Sequence, residues 1–169
     1  MKHVETFRKA RIAGCPIVVI RTPDYAATIN DIKAVLTKPM LRWDVCRGSV
    51  AANTTAVVAE DVINGGGEPA MTTGNPVEAL QLMLEKSEPG SMLFMMNAHL
   101  FIETQDPSRI PFIQGVCNVR DAFKGSNRTL VLMCPDMKVP AELSNDAVII
   151  DVALPSRAET EKIALTIHK

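Results

Sequence analysis

Pro16-Ile17-Val18-Val19-Ile20-Arg21-Thr22-Pro23-Asp24 is an apolar run of strand length that ends abruptly in turn and helix-start residues. Its aliphatic residues show no polar alternation, so both faces need burial, as in the interior of a parallel sheet. Beyond it, Thr22 suits a cap and Pro23 a first helical position. Tyr25, Ile29, Ile32 and Leu36 then form one apolar stripe. The alternation repeats along the chain. Strand-like runs lie at 92–96, 129–134 and 147–152, with a weaker, alternating one at 41–46. Asn75-Pro76-Val77-Glu78 is a helix start followed by Val77, Leu80 and Leu84, ending near Pro89-Gly90. Asp106-Pro107 and Pro111 open a third helix with Ile113, Val116, Val119 or Arg120, and Phe123, which Gly125 can close in a left-handed conformation. Ser156-Arg157-Ala158-Glu159 is a capping box for a last helix. Strands alternating with helices imply right-handed crossovers, hence an α/β, three-layer αβα fold on a mostly parallel five-stranded sheet. Segment 47–74 breaks the regularity with Asn64-Gly65-Gly66-Gly67, Met71-Thr72-Thr73-Gly74 and an apolar piece at 55–59, and is expected to be an insertion forming a hairpin or mobile loop.

Length and composition narrow the class. At 169 residues and 47% hydrophobic, the chain suits a single domain over 1–169. Eighteen Lys and Arg stand against 19 Asp and Glu, so no basic excess points to nucleic acid or an anionic membrane surface. Cys15, Cys46, Cys117 and Cys134 form no Cys-x-x-Cys pair and mostly sit in apolar runs, the pattern of reduced core cysteines in a cytoplasmic protein. The first eleven residues are charged throughout, without the apolar stretch of a signal peptide, and no later run is long enough to span a bilayer.

The turns after the strands are where an α/β sheet binds ligands. A phosphate-binding turn needs Gly-x-x-x-x-Gly-Lys-Ser/Thr, because backbone amides wrap the phosphates and the lysine neutralises them. Arg21-Thr22-Pro23-Asp24 has no glycine, Pro23 has no amide hydrogen and Asp24 is negative. No Gly-Lys pair occurs in the chain. At the end of the 92–96 run, where an aspartate would hold Mg²⁺ and a following acid would polarise water, stand Asn97, Ala98 and His99. His99 has no second ligand spaced with it, and Glu60, Asp61 and Glu68 lack the carboxylate spacing of a calcium loop. No catalytic, cofactor-binding or metal-ligating residue is therefore expected in this segment.

Taken in order, Pro16-Ile17-Val18-Val19-Ile20-Arg21-Thr22, Leu41-Arg42-Trp43-Asp44-Val45-Cys46-Arg47-Gly48, Asn75-Pro76-Val77-Glu78-Ala79-Leu80 and Leu93-Phe94-Met95-Met96-Asn97-Ala98-His99 resemble the N-terminal, Walker-A-less module of a family of bacterial and plastid AAA+ ATPases. The family's corresponding strand ends in Asp-Phe-His, and Asn97 departs from its aspartate. The similarity continues through Arg128 and the run 129–135, Val139-Pro140-Ala141-Glu142-Leu143 and Leu154-Pro155, and covers about residues 7–163. The resemblance implies a RecA-like, P-loop-NTPase-like fold that is degenerate and catalytically silent. It also implies that ATP and Mg²⁺ belong to an intact ATPase domain following in a longer protein.

The first functional reading is a non-catalytic N-terminal domain serving assembly, regulation or recognition of a protein substrate. Its own ATPase domain and the subunits of a homo-oligomer would be its partners. A second is weak, unconventional ATP binding or hydrolysis through Arg21, Arg47 and a neighbouring subunit's glycine-rich loop. A third is a stand-alone adaptor whose 47–74 loop contacts a protein. Trp43, Arg47, Gly65, Gly66, Gly67 and His99 are the candidate interaction residues.

Overall fold

Burial on both sides of each central strand organises the chain, whose computed structural model describes residues 1–64 and 74–153. The elements are α1 (Lys2–Ile12), β1 (Ile17–Arg21), α2 (Tyr25–Lys33), β2 (Met40–Asp44), β3 (Gly48–Ala51), α3 (Val57–Ile63), α4 (Pro76–Lys86), β4 (Met92–Met95), α5 (His99–Ile102), α6 (Arg109–Phe123), β5 (Thr129–Cys134) and β6 (Ala147–Asp151). Single 3₁₀ turns lie at Thr54–Ala56 and Ala141–Leu143.

The strands form one sheet in the order β3-β2-β4-β5-β1-β6. Every described pairing is parallel except β2 with β3. The five expected strands are present, and the sixth, β3, is the second arm of a hairpin inside the 47–74 insertion. A two-face alternation runs through them. Ile17, Val19, Leu41, Trp43, Leu93, Met95, Leu130 and Leu132 belong to a core packed with residues of α3 to α6. Val18, Ile20, Met40, Met92, Phe94, Val131 and Met133 belong to a second core with residues of α1 and α2. Successive residues point to opposite faces, so a strand with helices on both sides must be apolar at every position.

Several local expectations change. The cap of α2 is Asp24, whose carboxylate accepts Ala27 N at 2.9 Å, and not Thr22. A carboxylate outcompetes a hydroxyl at this positive helix end. Thr22 is instead buried, its hydroxyl 2.9 Å from that of Thr28. Asn75 caps α4 through Val77 N and Glu78 N, with Pro76 at its first turn. Gly125 does not close α6; the cap Lys124 is right-handed, and Asn127 takes the left-handed φ of 53°.

Helix α1 is an element the charged N-terminus conceals: Val4, Phe7 and Ala10 are buried at threefold spacing under a polar outer face. Arg11, only 7% exposed, donates to Gly90 O (2.8 Å) just ahead of β4 and to Thr129 Oγ1 (3.0 Å) and Asn127 O (3.4 Å) at the start of β5. In the insertion, Glu60 of α3 accepts Ala51 N at 2.9 Å and Asn64 donates to Ser49 O at 3.1 Å, so α3 satisfies backbone groups of the edge strand β3. The capping box at 156–159 lies outside the described residues.

Candidate functional site: the ends of strands β1, β4 and β5

The turn after β1 consumes its own amide hydrogens. Thr22 N donates to Cys134 O (2.8 Å), Asp24 N to Thr22 Oγ1 (3.2 Å), Ala27 N to Asp24 Oδ1 (2.9 Å) and Thr28 N to Asp24 O (3.2 Å). Pro23 has none to give. A phosphate cradle requires several converging free amides, and over residues 22–28 only Tyr25 and Ala26 stand outside these bonds.

The cation at this position is also engaged. Arg21 places Nη2 2.9 Å from Met137 O, Nη1 3.4 Å from Asp151 and Nε 3.5 Å from Asp136. Two carboxylates thus face this one arginine, which leaves it no net positive charge to offer a polyphosphate.

Across the strand ends, Tyr25 donates its hydroxyl to Asn97 Oδ1 at 2.9 Å. Asn97 sits just past β4 with φ of 55°, a left-handed conformation that asparagine tolerates better than most residues. Burial, together with the neighbouring Cys134, raises the tyrosine hydroxyl above its ordinary range, so it remains a protonated donor. The bond thus ties the start of α2 to the place where a Mg²⁺-binding carboxylate would stand. Ala98 N donates to Met133 O at 3.0 Å, which locks the same turn against β5.

The interaction candidates scatter. Trp43 lies on β2, an interior strand, and is fully buried with its ring 5.8 Å from that of Phe101, so it is a core residue and not an exposed anchor. Its face of the strand points at the helices that cover the sheet. Arg47 is exposed on the β2–β3 turn, its Nε 3.8 Å from Asp44. Three strand spacings, roughly 14 Å, separate β2 from β1, and Arg21 and Arg47 are each turned to carboxylates of their own neighbourhood. His99 opens α5, half-buried, with Nδ1 turned inward and unbonded among the described residues. Gly65, Gly66 and Gly67 lie outside the described residues. Of the four free cysteines, Cys134 is buried but Cys46 is exposed, contrary to the core reading of the set. Tyr25 is the site residue the sequence conceals: its helical spacing marks it as packing, and nothing local signals a partner so distant in sequence.

The strand order, parallel but for one hairpin and covered by helices on both faces, defines an α/β protein of the doubly wound class. Residues 3–152 match the model of the SpoVK-like AAA ATPase N-terminal domain, and the chain belongs to that family. It is 22% identical over 174 aligned positions to an uncharacterized AAA domain-containing protein, ycf46, of Guillardia theta. The match covers 100% of this chain and 31% of that relative, so the chain spans about a third of the relative's length. Chains of Drosophila ORC, solved bound to GC-rich DNA and Cdc6 or bound to DNA, are similar over 94% and 95% of this chain and 60% and 98% of their own. Their TM-scores are both 0.47, at 12% and 13% identity. Among the described residues, no helix is long and apolar enough to cross a membrane.

Proposed function

We propose that this domain is a catalytically silent module of an AAA+ ATPase, binding no nucleotide itself and serving as a platform for assembly and partner recognition. The observation that carries this reading is the Tyr25–Asn97 bond across the strand ends, set beside a turn whose amides are spent internally. The sheet persists where the phosphate chemistry does not, so what the fold still offers is surface. ATP and Mg²⁺ act in a separate domain of the longer protein, and this module contacts that domain and neighbouring subunits of a homo-oligomer.

Two measurements test the two halves. Ligand binding to the native state raises stability by about 2.7 kcal/mol at a hundredfold excess over Kd. Millimolar Mg-ATP should therefore leave the melting temperature of the isolated chain unchanged, and a rise of several degrees would sink the silent assignment. For the platform role, the light-scattering mass of the parent ATPase is compared with and without this module. Removal should lower the assembly state or abolish partner capture while hydrolysis persists; an unchanged mass with intact capture would refute it.

A further inference from the structure

The two edges of the sheet are finished differently. At β3, Ala52 N donates to Met40 O, which turns the backbone groups of Ser49 and Ala51 outward, and α3 occupies them: Glu60 accepts Ala51 N and Asn64 donates to Ser49 O. At β6 nothing comparable stands among the described residues, where the strand pairs with β1 alone. Val152 N donates to Arg21 O at 2.9 Å, and alternation along the strand turns the backbone groups of Val148 and Ile150 to β1 as well. Those of Ala147, Ile149 and Asp151 point away from the sheet. Ile149 is 43% exposed, whereas Ile150, on the opposite face, is buried with residues of α1. The stretch 147–150 is apolar throughout and has no proline, lysine or bulge, the devices that blunt an exposed edge.

We infer that β6 pairs antiparallel with β6 of a second copy of this chain, about a twofold axis at Ile149. A row of unpaired amides and carbonyls on a sheet edge is completed by another strand. Among the described residues the opposite edge is capped by α3, so head-to-tail joining of β6 to β3 is blocked and the pairing closes on itself as a dimer. Bond pattern and charge set the register. With Ile149 opposite its own copy, Ala147 faces Asp151, and every outward-pointing residue of β6 exchanges backbone bonds. Asp146 then faces Val152, so no carboxylate opposes another, whereas a slip that centres the pair on Asp151 sets two carboxylates face to face. The inference rests on the assembly half of the proposed role and names its partner. A monomeric chain would sink this edge alone, while an unchanged mass of the parent ATPase on removal of the module would sink the platform.

Sedimentation velocity of the intact chain should show a monomer–dimer equilibrium that shifts with protein concentration, since one added strand pair is small against the roughly 1,200 Å² of a stable interface. Ile149→Lys and Ile149→Glu should each abolish the dimer with unchanged circular dichroism, because the side chain is already part-exposed and like charges then meet across the axis. An equimolar mixture of the two variants should dimerise again, which requires a register that sets position 149 opposite its own copy. Val58→Lys, on the exposed face of α3, should leave the equilibrium unchanged. The inference is overturned if the chain stays monomeric at the highest concentration reached, if the charged variants dimerise as the native chain does, if their mixture stays monomeric, or if Val58→Lys dissolves the dimer.

Discussion

Tyr25 and Asn97 meet because α2 begins immediately beyond the end of β1 while β4 stops two strands away, leaving a gap one aromatic side chain can bridge. The contact is partly exposed, and such a hydrogen bond contributes about 0.5–1.5 kcal/mol. Its importance is positional, since it stands where metal chemistry would begin. Asn97→Asp restores the missing carboxylate but neither frees the spent amides nor releases Arg21 from Asp136 and Asp151, so the variant should still give no heat with Mg-ATP in titration calorimetry; micromolar binding by this variant alone would show that the asparagine is the sole defect. Cys134 offers a second test. Burial pushes its thiol up to about 11, from an ordinary value of 9.0. The unfolded chain thus loses this proton first, so stability is intact below pH 9 and falls as pH rises from about 9 to 11. Chemical denaturation across that window should show the decline, and Cys134→Ser should flatten it. Under native conditions near neutral pH, Ellman's reagent should reach exposed Cys46 before Cys134.

Elements differ in how far their own residues reveal them. A strand covered on both faces has to be apolar at consecutive positions, so β1, β4 and β5 announce themselves in sequence, and Asn75-Pro76 marks α4 by a cap that acts locally. The start of α2 is harder to read because Thr22 and Asp24 are both capping residue types two positions apart, and Asp24 takes the cap while the hydroxyl of Thr22 is buried against that of Thr28. Helix α1 hides because its apolar residues are few; its anchor, Arg11, depends on acceptors far along the chain. Arg11→Ala leaves Gly90 O and Thr129 Oγ1 without their donor and should cost about 1–3 kcal/mol, read as a lower urea midpoint with unchanged slope. Where α4 and α6 pack, a β-carbon on Gly115 would lie 3.2 Å from Leu80 Cδ1. Gly115→Val should therefore overpack the contact and destabilise by about 1–3 kcal/mol.

Across the whole molecule, the layered α/β class follows from the alternation of apolar runs and helix starts, whereas the order β3-β2-β4-β5-β1-β6 does not, because parallel neighbours are chosen by packing between distant segments. The hairpin arm β3 is only weakly marked, as one of two options for 47–74, for a related reason: Gly48, Ser49 and Ala51 have little strand propensity, and the arm is held by pairing with β2 and by contacts from α3. Loss of the phosphate loop is legible from Arg21 to Asp24 alone, but the bond that fills its place is not, since it joins residues that only the completed sheet brings together. Arg21, Asp24, Tyr25 and Asn97 at the strand ends are engaged with groups of the chain itself, and the proposed silent role takes these bonds as closing the ligand position. Isothermal titration of the purified chain with ATP and with ADP, each with and without Mg²⁺, tests that closure most directly. The account predicts no binding heat in any of these titrations; saturable binding at micromolar nucleotide would contradict it and require a phosphate site that the turn after β1 does not provide.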